Sequence, residues 1–329
     1  MKICFVDVSK TDYNFNNFND EFIRGAESIF INFSKRLSFL DNEVFVFNNC
    51  TNEYISNNYS WLNLKKINKF KNFFDIVISN NDTSILNKFN CKKKFVISHS
   101  ILTIEKSIRK NQIFNYFRNR PIYLLIGKYH KQKMSKVFSF FNCKIISYGV
   151  DEVFEKKKIS EVIIDNKISY FTSRQDRNLD YLVNIWKKFI FPANQEFKLY
   201  VTPLNNNLTN YNIFNRKMLK KEDYVNDLSK ARIVILPGHK AELFCLAALE
   251  AAELCIPIVT MGYGSLSERV EHGVTGLIAK NDKEFSNFII ELFKNDDLWS
   301  KLRNNLISRR GNNSWELATK KFFSIIKNS

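Results

Sequence analysis

The sequence predicts an α/β protein built from two doubly wound parallel sheets. Short apolar strand-like runs alternate with amphipathic helix-like stretches from the first residue. The alternation restarts after a charge-rich stretch at Val150–Lys158. The chain of 329 residues is also too long for one ordinary core, since domains of about 150 residues are typical. We therefore predict two domains and no sequence repeats.

The first half of the chain is predicted to contain a βαβ start followed by further buried strands. Residues 24–40 show helical apolar spacing, and each strand is a short run rich in Val, Ile and Phe. The predicted strands are 2–8, 42–48, 74–79, 94–99, 122–127 and 143–149.

The second half repeats the pattern. The predicted strands are 167–173, 197–203, 231–238, 256–262 and 275–279, and the predicted helices are 178–190, 223–230, 244–253 and 283–293. Doubly wound sheets bind ligands beyond the carboxyl ends of their strands. We expect two such sheets to face each other with the ligand between them.

The formal net charge of +17 indicates a polyanionic or phosphorylated partner. The chain has no zinc-finger spacing, no aromatic ribonucleoprotein motif and no basic zipper, so no nucleic-acid role is predicted. No apolar run reaches the ~18 residues of a membrane span. The N-terminus lacks signal-peptide features, and the six cysteines lack metal-ligand spacing. We expect a cytoplasmic protein with reduced cysteines.

Two glutamates, Glu242 and Glu250, flank an almost wholly apolar run in AELFCLAALEAAELCIP. A buried strand and a Pro-Gly turn precede them, and a helix is predicted to start near Phe244. Glu242 then lies in a loop past a strand end, where binding residues concentrate. Unpaired amides at the helix start form an anion site, and they belong to Phe244, Cys245 and Leu246.

Two carboxylates around an anion-binding helix start suit a ligand with hydroxyl groups at both ends and phosphates between them. A nucleoside diphosphate sugar has this layout. The structural alternative is that Glu242 is a favourable first-turn acid and Glu250 a solvated helix charge.

The segment HKAELFCLAALEAAELCIPIVTMGYGSLSERVEHGVTGLIA resembles the donor-site segment of retaining GT-B glycosyltransferases of family 4, the glycosyl transferases group 1, with its E-x7-E motif. Further segments resemble the same family in order, at 24–37, 147–154, 171–186 and 313–322. Residues 50–90 and 200–225 are poorly matched.

The resemblance implies a GT-B fold with a C-terminal helix crossing back to the first domain. Residues 1–150, with the helix at 312–329, would bind the acceptor, and residues 151–311 would bind the nucleotide sugar. The implied reaction moves a sugar from a nucleoside diphosphate sugar to a hydroxyl with retention of configuration. The implied acceptor is a saccharide or lipid-linked saccharide, as in lipopolysaccharide or other cell-surface polysaccharide assembly. No metal or other cofactor is expected.

The resemblance also assigns roles to single residues. Glu250 would bind the ribose, and Glu242 would contact the donor sugar and its developing positive charge. Arg174 and Arg177 would stabilise the diphosphate leaving group. In the first domain, Gly25 would let the chain pass close to the ligand, and His99 would be a catalytic residue that accepts or positions a proton near the acceptor hydroxyl.

Three features depart from the family pattern. Cys245 stands where the family has the glycine of E-x-F-G, and Arg177 follows Arg174 by only three residues. A family glycine nearby corresponds to Asn178 or Leu179, depending on the alignment.

A basic segment suggests a second surface. Between Lys92 and Lys136 there are twelve Lys or Arg residues and one acid, Glu105. We expect a membrane or acceptor face here, or else a solvated helix, and its members are Arg109, Lys110, Arg118 and Arg120. The alternative function is a non-catalytic GT-B-like protein that binds an anionic membrane or a polyanion. A sugar 2-epimerase is a further alternative.

Overall fold

The computed structural model describes residues 1–16, 25–109, 111–138, 140–201, 208–216 and 219–329. They form two compact units, Met1–Tyr148 with Trp315–Ser329, and Gly149–Ser314. In these ranges no helix is long and apolar enough to cross a membrane.

In the described part of the first unit, eight strands form one sheet. They are β1 (Lys2–Val6), β2 (Glu43–Asn48), β3 (Tyr54–Ile55), β4 (Tyr59–Asn63), β5 (Ile76–Asn80), β6 (Lys93–Ser98), β7 (Ile122–Leu125) and β8 (Cys143–Ile145). Their order is β3-β4-β2-β1-β5-β6-β7-β8, and all neighbours are parallel except β3 and β4. Central strands buried on both faces explain the continuous apolar runs in the sequence.

The helices of the first unit before residue 148 are α1 (Gly25–Ser38), α2 (Ile104–Arg109), α3 (Gln112–Asn119) and α4 (Lys128–Lys133). Short 3₁₀ turns occupy Leu64–Phe70, Ile85–Lys88 and Lys136–Phe138. Helix α1 buries an apolar face that includes Ile29, Phe30, Phe33 and Leu37, as its helical spacing predicts.

The second unit contains a six-stranded parallel sheet, counted over the ranges given above. Its strands are β9 (Asp165–Tyr170), β10 (Lys198–Val201), β11 (Ile213–Asn215), β12 (Ala231–Ile235), β13 (Ile258–Thr260) and β14 (Gly276–Ile278). Their order is β11-β10-β9-β12-β13-β14. Parallel strands bring all their carboxyl ends to one edge, which is where the second unit carries its candidate site.

The helices of the second unit lie before, between and after these strands. They are α5 (Glu152–Lys156), α6 (Leu179–Ile185), α7 (Phe191–Ala193), α8 (Lys221–Ser229), α9 (Leu246–Glu253), α10 (Leu266–Arg269), α11 (Asp282–Lys294) and α12 (Asp296–Arg309). A π-helical turn at Trp186–Ile190 joins α6 to α7, and 3₁₀ turns lie at Ile159–Glu161 and Thr209–Tyr211.

The last helix, α13 (Trp315–Asn328), returns to the first unit. Phe322 stacks on Phe33 of α1 with ring centroids 4.2 Å apart, and Trp315 meets the same ring edge-on at 5.2 Å. These buried aromatic contacts explain why the chain end packs with the first unit.

All eleven strands predicted from the sequence are present. The sequence did not predict β3, β4 or β11. The predicted start of the helix near Phe244 is wrong, because α9 begins at Leu246.

Candidate functional site

Loops from three neighbouring strands meet at the carboxyl edge of the second sheet. They follow β9, β12 and β13. Hydrogen bonds to backbone carbonyl groups hold these loops together. The Asn178 side-chain amide donates to Gly238 O at 2.5 Å, and Ser265 N donates to Glu242 O at 2.9 Å. The loop that carries Glu242 is therefore held from both sides.

The Glu242 carboxylate is half-buried in this loop. The Ser173 hydroxyl donates to its Oε1 at 3.4 Å, and the Cys245 thiol also bonds to it. Burial raises the pKa of Glu242, and the charge of Arg177 partly opposes that shift. The acid is thus placed in a partly desolvated environment next to a guanidinium.

Gly264, in the loop after β13, allows this loop to pack closely against the loop that carries Glu242. Its φ is +69°, and a Cβ atom there would lie 2.3 Å from His239 O and 2.7 Å from Glu242 O. Both the left-handed backbone and the lack of space require glycine at this position.

Helix α9 begins immediately after a left-handed residue. Cys245 has φ 54° and ψ 77°, and Ala248 N donates to Cys245 O at 3.2 Å. Because of this left-handed cap, the helix starts at Leu246 and not at the predicted Phe244. Phe244 and Cys245 therefore belong to the loop. Phe244 is buried and its carbonyl accepts from Arg269 Nε at 3.0 Å.

Glu250 lies in α9, half-buried and close to several charged groups. Burial raises its pKa to about 7, although Lys221 and Arg216 lower it. Lys221 itself forms an ion pair with Asp151. Glu250 is not a fully solvated helix charge, because its side chain is only partly accessible to solvent.

Sequence reasoning missed Arg216, which follows β11. Its guanidinium lies over the Tyr224 ring at 4.4 Å, and its charge acts on Glu250. Arg216 Nη1 and Thr172 Oγ1 are buried, and the side chains of both residues interact with the Tyr224 hydroxyl. The signal available in the sequence was the combination of basic and aromatic residues in this segment. The strand β11 has three residues and is too short to show a periodicity from which their positions could be predicted.

The two predicted phosphate-binding arginines differ in their surroundings. Both form ion pairs with Asp176 at 2.8 Å. The Arg174 side chain is 75% exposed, whereas that of Arg177 is 16% exposed and acts on Glu242. Asn178 has φ 65° and lies in the left-handed region, which glycine adopts most readily and asparagine more readily than most other residues.

His99 and Gly25 belong to the first unit. His99 follows β6, and its Nδ1 lies 3.3 Å from the Tyr148 hydroxyl. Burial lowers the pKa of His99 to about 4, so the ring is neutral at pH 7. Its Nε2 is buried and has no hydrogen-bond partner in the described structure. Gly25 is the exposed first residue of α1.

The predicted basic face is only partly described. Arg109, Arg118 and Arg120 are exposed in the first unit. Lys110 lies outside the described residues.

The described ranges contain no group of three or more His, Cys, Asp or Glu residues arranged to hold a metal ion. All six cysteines lie in these ranges and are free thiols.

Solved structures share this fold across nearly the whole chain. Sucrose-phosphate synthase from Thermosynechococcus elongatus aligns with a TM-score of 0.71 and 12% identity, covering 99% of this chain and 98% of that one. HepE from Anabaena in complex with UDP aligns with a TM-score of 0.70 and 12% identity, covering 100% of both chains. The fold of this chain is GT-B.

Residues 206–310 match the family model described as glycosyl transferases group 1. A chitobiosyldiphosphodolichol beta-mannosyltransferase of Debaryomyces hansenii is 35% identical over 69 residues, which span 18% of this chain and only 14% of that protein. An uncharacterized glycosyltransferase of Methanocaldococcus jannaschii is 25% identical over 244 residues, covering 68% of this chain and 67% of that protein. The second unit thus carries a glycosyl transferases group 1 domain.

Gly264→Ala is expected to destabilise the protein more than Gly273→Ala. Both glycines have positive φ, of +69° and +72°, but among the described atoms a Cβ at Gly273 meets nothing within 4 Å. Left-handed strain alone costs about 1–2 kcal/mol, and forced overpacking adds about 1–3 kcal/mol. Chemical denaturation of the two variants separates these effects. Equal losses would show that the contact with the Glu242 loop contributes nothing.

Glu250→Gln is expected to raise the unfolding free energy of the ligand-free protein at pH 8. The folded pKa of about 7 exceeds the ordinary 4.5, so the folded state binds this proton more tightly and stability falls as pH rises through that window. The gain is at most about 3 kcal/mol above pH 7, at about 1.4 kcal/mol per pH unit.

Denaturation curves at pH 4.5 and 8 measure this gain, which should vanish at the lower pH. The exposed Glu222→Gln is the control and should show little change at either pH. A Glu250→Gln variant that is less stable at pH 8 would contradict the assignment of Glu250 as a desolvated acid.

Proposed function

We propose that this protein is a glycosyltransferase that moves a sugar from a nucleoside diphosphate sugar to a hydroxyl acceptor, with retention of configuration and without a metal ion. The second unit binds the donor, and the first unit binds the acceptor. The acceptor is a saccharide or a lipid-linked saccharide of the cell surface.

One observation carries the proposal. Glu242, in the loop after β12, and Glu250, inside the helix α9 that follows it, are the two acids of the E-x7-E pattern, and burial raises the pKa of each. Partly desolvated acids in a loop past a strand end and in the helix after it are candidates for functional positions. A role as solvated surface charges does not account for their burial. HepE, a protein of the same fold, was solved in complex with UDP-glucose, which supports this class of donor.

The donor would extend along this edge of the sheet. Glu250 accepts hydrogen bonds from the ribose hydroxyls, and the Arg216 guanidinium offers N–H donors to the carbonyls of the nucleobase. The start of α9 and the Arg177 guanidinium bind the diphosphate. Glu242 then contacts the transferred sugar.

Catalysis would depend on charge stabilisation at the leaving group. As the glycosidic bond breaks, negative charge grows on the diphosphate, and Arg177 is the less exposed of the two candidate guanidiniums. The acceptor oxygen attacks the same face, and its proton passes to the departing phosphate oxygen. Neutral His99 hydrogen-bonds the acceptor rather than acting as a strong base, because its pKa is lowered to about 4. Guanidinium groups thus supply the charge that a metal ion supplies elsewhere.

The alternative is a non-catalytic protein of the same fold that acts only through its basic surface. The buried acids argue against it, because a pure binder does not need to retain desolvated carboxylates at a strand edge. A sugar 2-epimerase would release free epimerised sugar nucleotide, whereas the proposed transferase releases a glycoside. Product analysis separates these two enzymes.

Glu242→Gln is expected to lower kcat by about 10²–10³-fold, because charge stabilisation at the developing oxocarbenium is lost. Donor affinity should change little. Thermal shift with UDP, GDP, ADP and their sugars first identifies the donor, since a ligand at 100 times its Kd stabilises the folded state by ~2.7 kcal/mol. Turnover is then measured with that donor and a panel of saccharide acceptors.

The exposed Glu222→Gln is the matched control and should keep full turnover. Two results would contradict the proposal. One is that no nucleotide or nucleotide sugar stabilises the protein, and the other is that Glu242→Gln turns over at the native rate.

A further inference from the structure

Three phenylalanine side chains form a contiguous exposed patch on the first unit, here called the aromatic patch. Phe114, Phe117 and Phe140 are 77%, 57% and 54% exposed. Phe114 and Phe117 lie three residues apart on α3 and so share one face. Phe117 and Phe140 have ring centroids 5.8 Å apart. Exposed apolar patches of this kind mark interaction surfaces.

The charge around the aromatic patch has one sign. Between Asn111 and Ile145 the sequence contains seven Lys or Arg residues and no acid. All seven side chains are exposed, and they are Arg118, Arg120, Lys128, Lys131, Lys133, Lys136 and Lys144. The charge of this surface therefore favours an anionic partner.

An open pocket adjoins the aromatic patch. Lys131, Lys136, Ser135 and Asn142 line it together with Phe141. The Phe141 ring meets that of Phe140 edge-on at 4.8 Å. Apolar side chains thus lie directly beside a basic pocket, which suits a molecule with an apolar part and an anionic head.

We propose that this face docks the protein on an anionic lipid bilayer. The aromatic patch enters the boundary between headgroups and acyl chains, and the lysines of the pocket bind lipid phosphates. A nucleic acid is the weaker fit, because Phe117 and Phe140 stack on each other at an angle of 14° and leave no space for a base between them.

The inference goes beyond glycosyl transfer and does not depend on it. None of its residues belongs to the candidate donor site. Docking would bring the protein to acceptors held in a membrane, so that the search for acceptor is confined to a surface.

The first test compares two triple variants in vesicle co-sedimentation. F114S/F117S/F140S removes the aromatic patch, and F39S/I55S/I163S removes side chains that are 69%, 69% and 88% exposed elsewhere. The vesicles are phosphatidylcholine alone or phosphatidylcholine with one quarter phosphatidylglycerol. The patch variant should lose at least ~10-fold in partitioning to the anionic vesicles, because burial of one side chain contributes about 1.5–3 kcal/mol. The control should change by less than ~2-fold.

A second pair of variants tests the charge. K131Q/K136Q should lose about 30-fold on anionic vesicles, at about 1 kcal/mol for each basic residue, and should behave as the native protein on phosphatidylcholine alone. K65Q/K69Q removes two exposed lysines from another part of the first unit and should lose far less. Thermal melts confirm that each variant is folded.

Three outcomes would overturn the proposal. The patch variant binds anionic vesicles as the native protein does, or its control loses as much binding, or the native protein binds a single-stranded oligonucleotide but no vesicle. The Glu242→Gln protein should keep native vesicle binding. A chain that binds vesicles but transfers no sugar would therefore leave this inference standing and remove the proposed function.

Discussion

Burial of two carboxylates at one edge of the second sheet is the constraint on which the candidate site depends. Desolvation raises the pKa values of Glu242 and Glu250, and the cations Arg177, Lys221 and Arg216 offset it only in part. A folded chain gains no stability from this arrangement. A ligand whose hydroxyl groups donate to both acids would supply the hydrogen bonds that water provides to an exposed carboxylate.

The loops that hold these acids use left-handed backbone at residues other than glycine. Asn178 and Cys245 both have positive φ, and each strained residue costs about 1–2 kcal/mol. Each side chain also makes a contact that glycine lacks, since Asn178 donates to Gly238 O and the Cys245 thiol bonds to Glu242. The departures from the family pattern are thus compensated locally. Gly264 has no such alternative, because a Cβ atom there would collide with backbone oxygens.

The strands were predictable because burial on both faces gives continuous apolar runs, as in β1 and β5. The short strands β3 and β11 have exposed or half-exposed members and lie among polar residues, so no such run marks them. The acids were found because their spacing is local. Arg216 was missed because Glu250, on which its charge acts, lies far from it in the sequence. Arg174 is exposed and Arg177 is half-buried because of tertiary packing, which the sequence does not show.

The candidate donor site explains little of the excess of positive charge. Four of its cations, Arg174, Arg177, Arg216 and Lys221, are offset by four acids, Asp151, Asp176, Glu242 and Glu250. Arg269, which contacts the Phe244 carbonyl, adds a further cation, so the site accounts for only a small part of the net charge of +17. Seven exposed Lys or Arg residues lie instead at 111–145 in the first unit, a segment whose sequence contains no Asp or Glu. Because screening limits each exposed charge to about 10 Å at 0.1 M salt, these cations act only on what contacts that face, and the exposed phenylalanines among them add apolar surface to it.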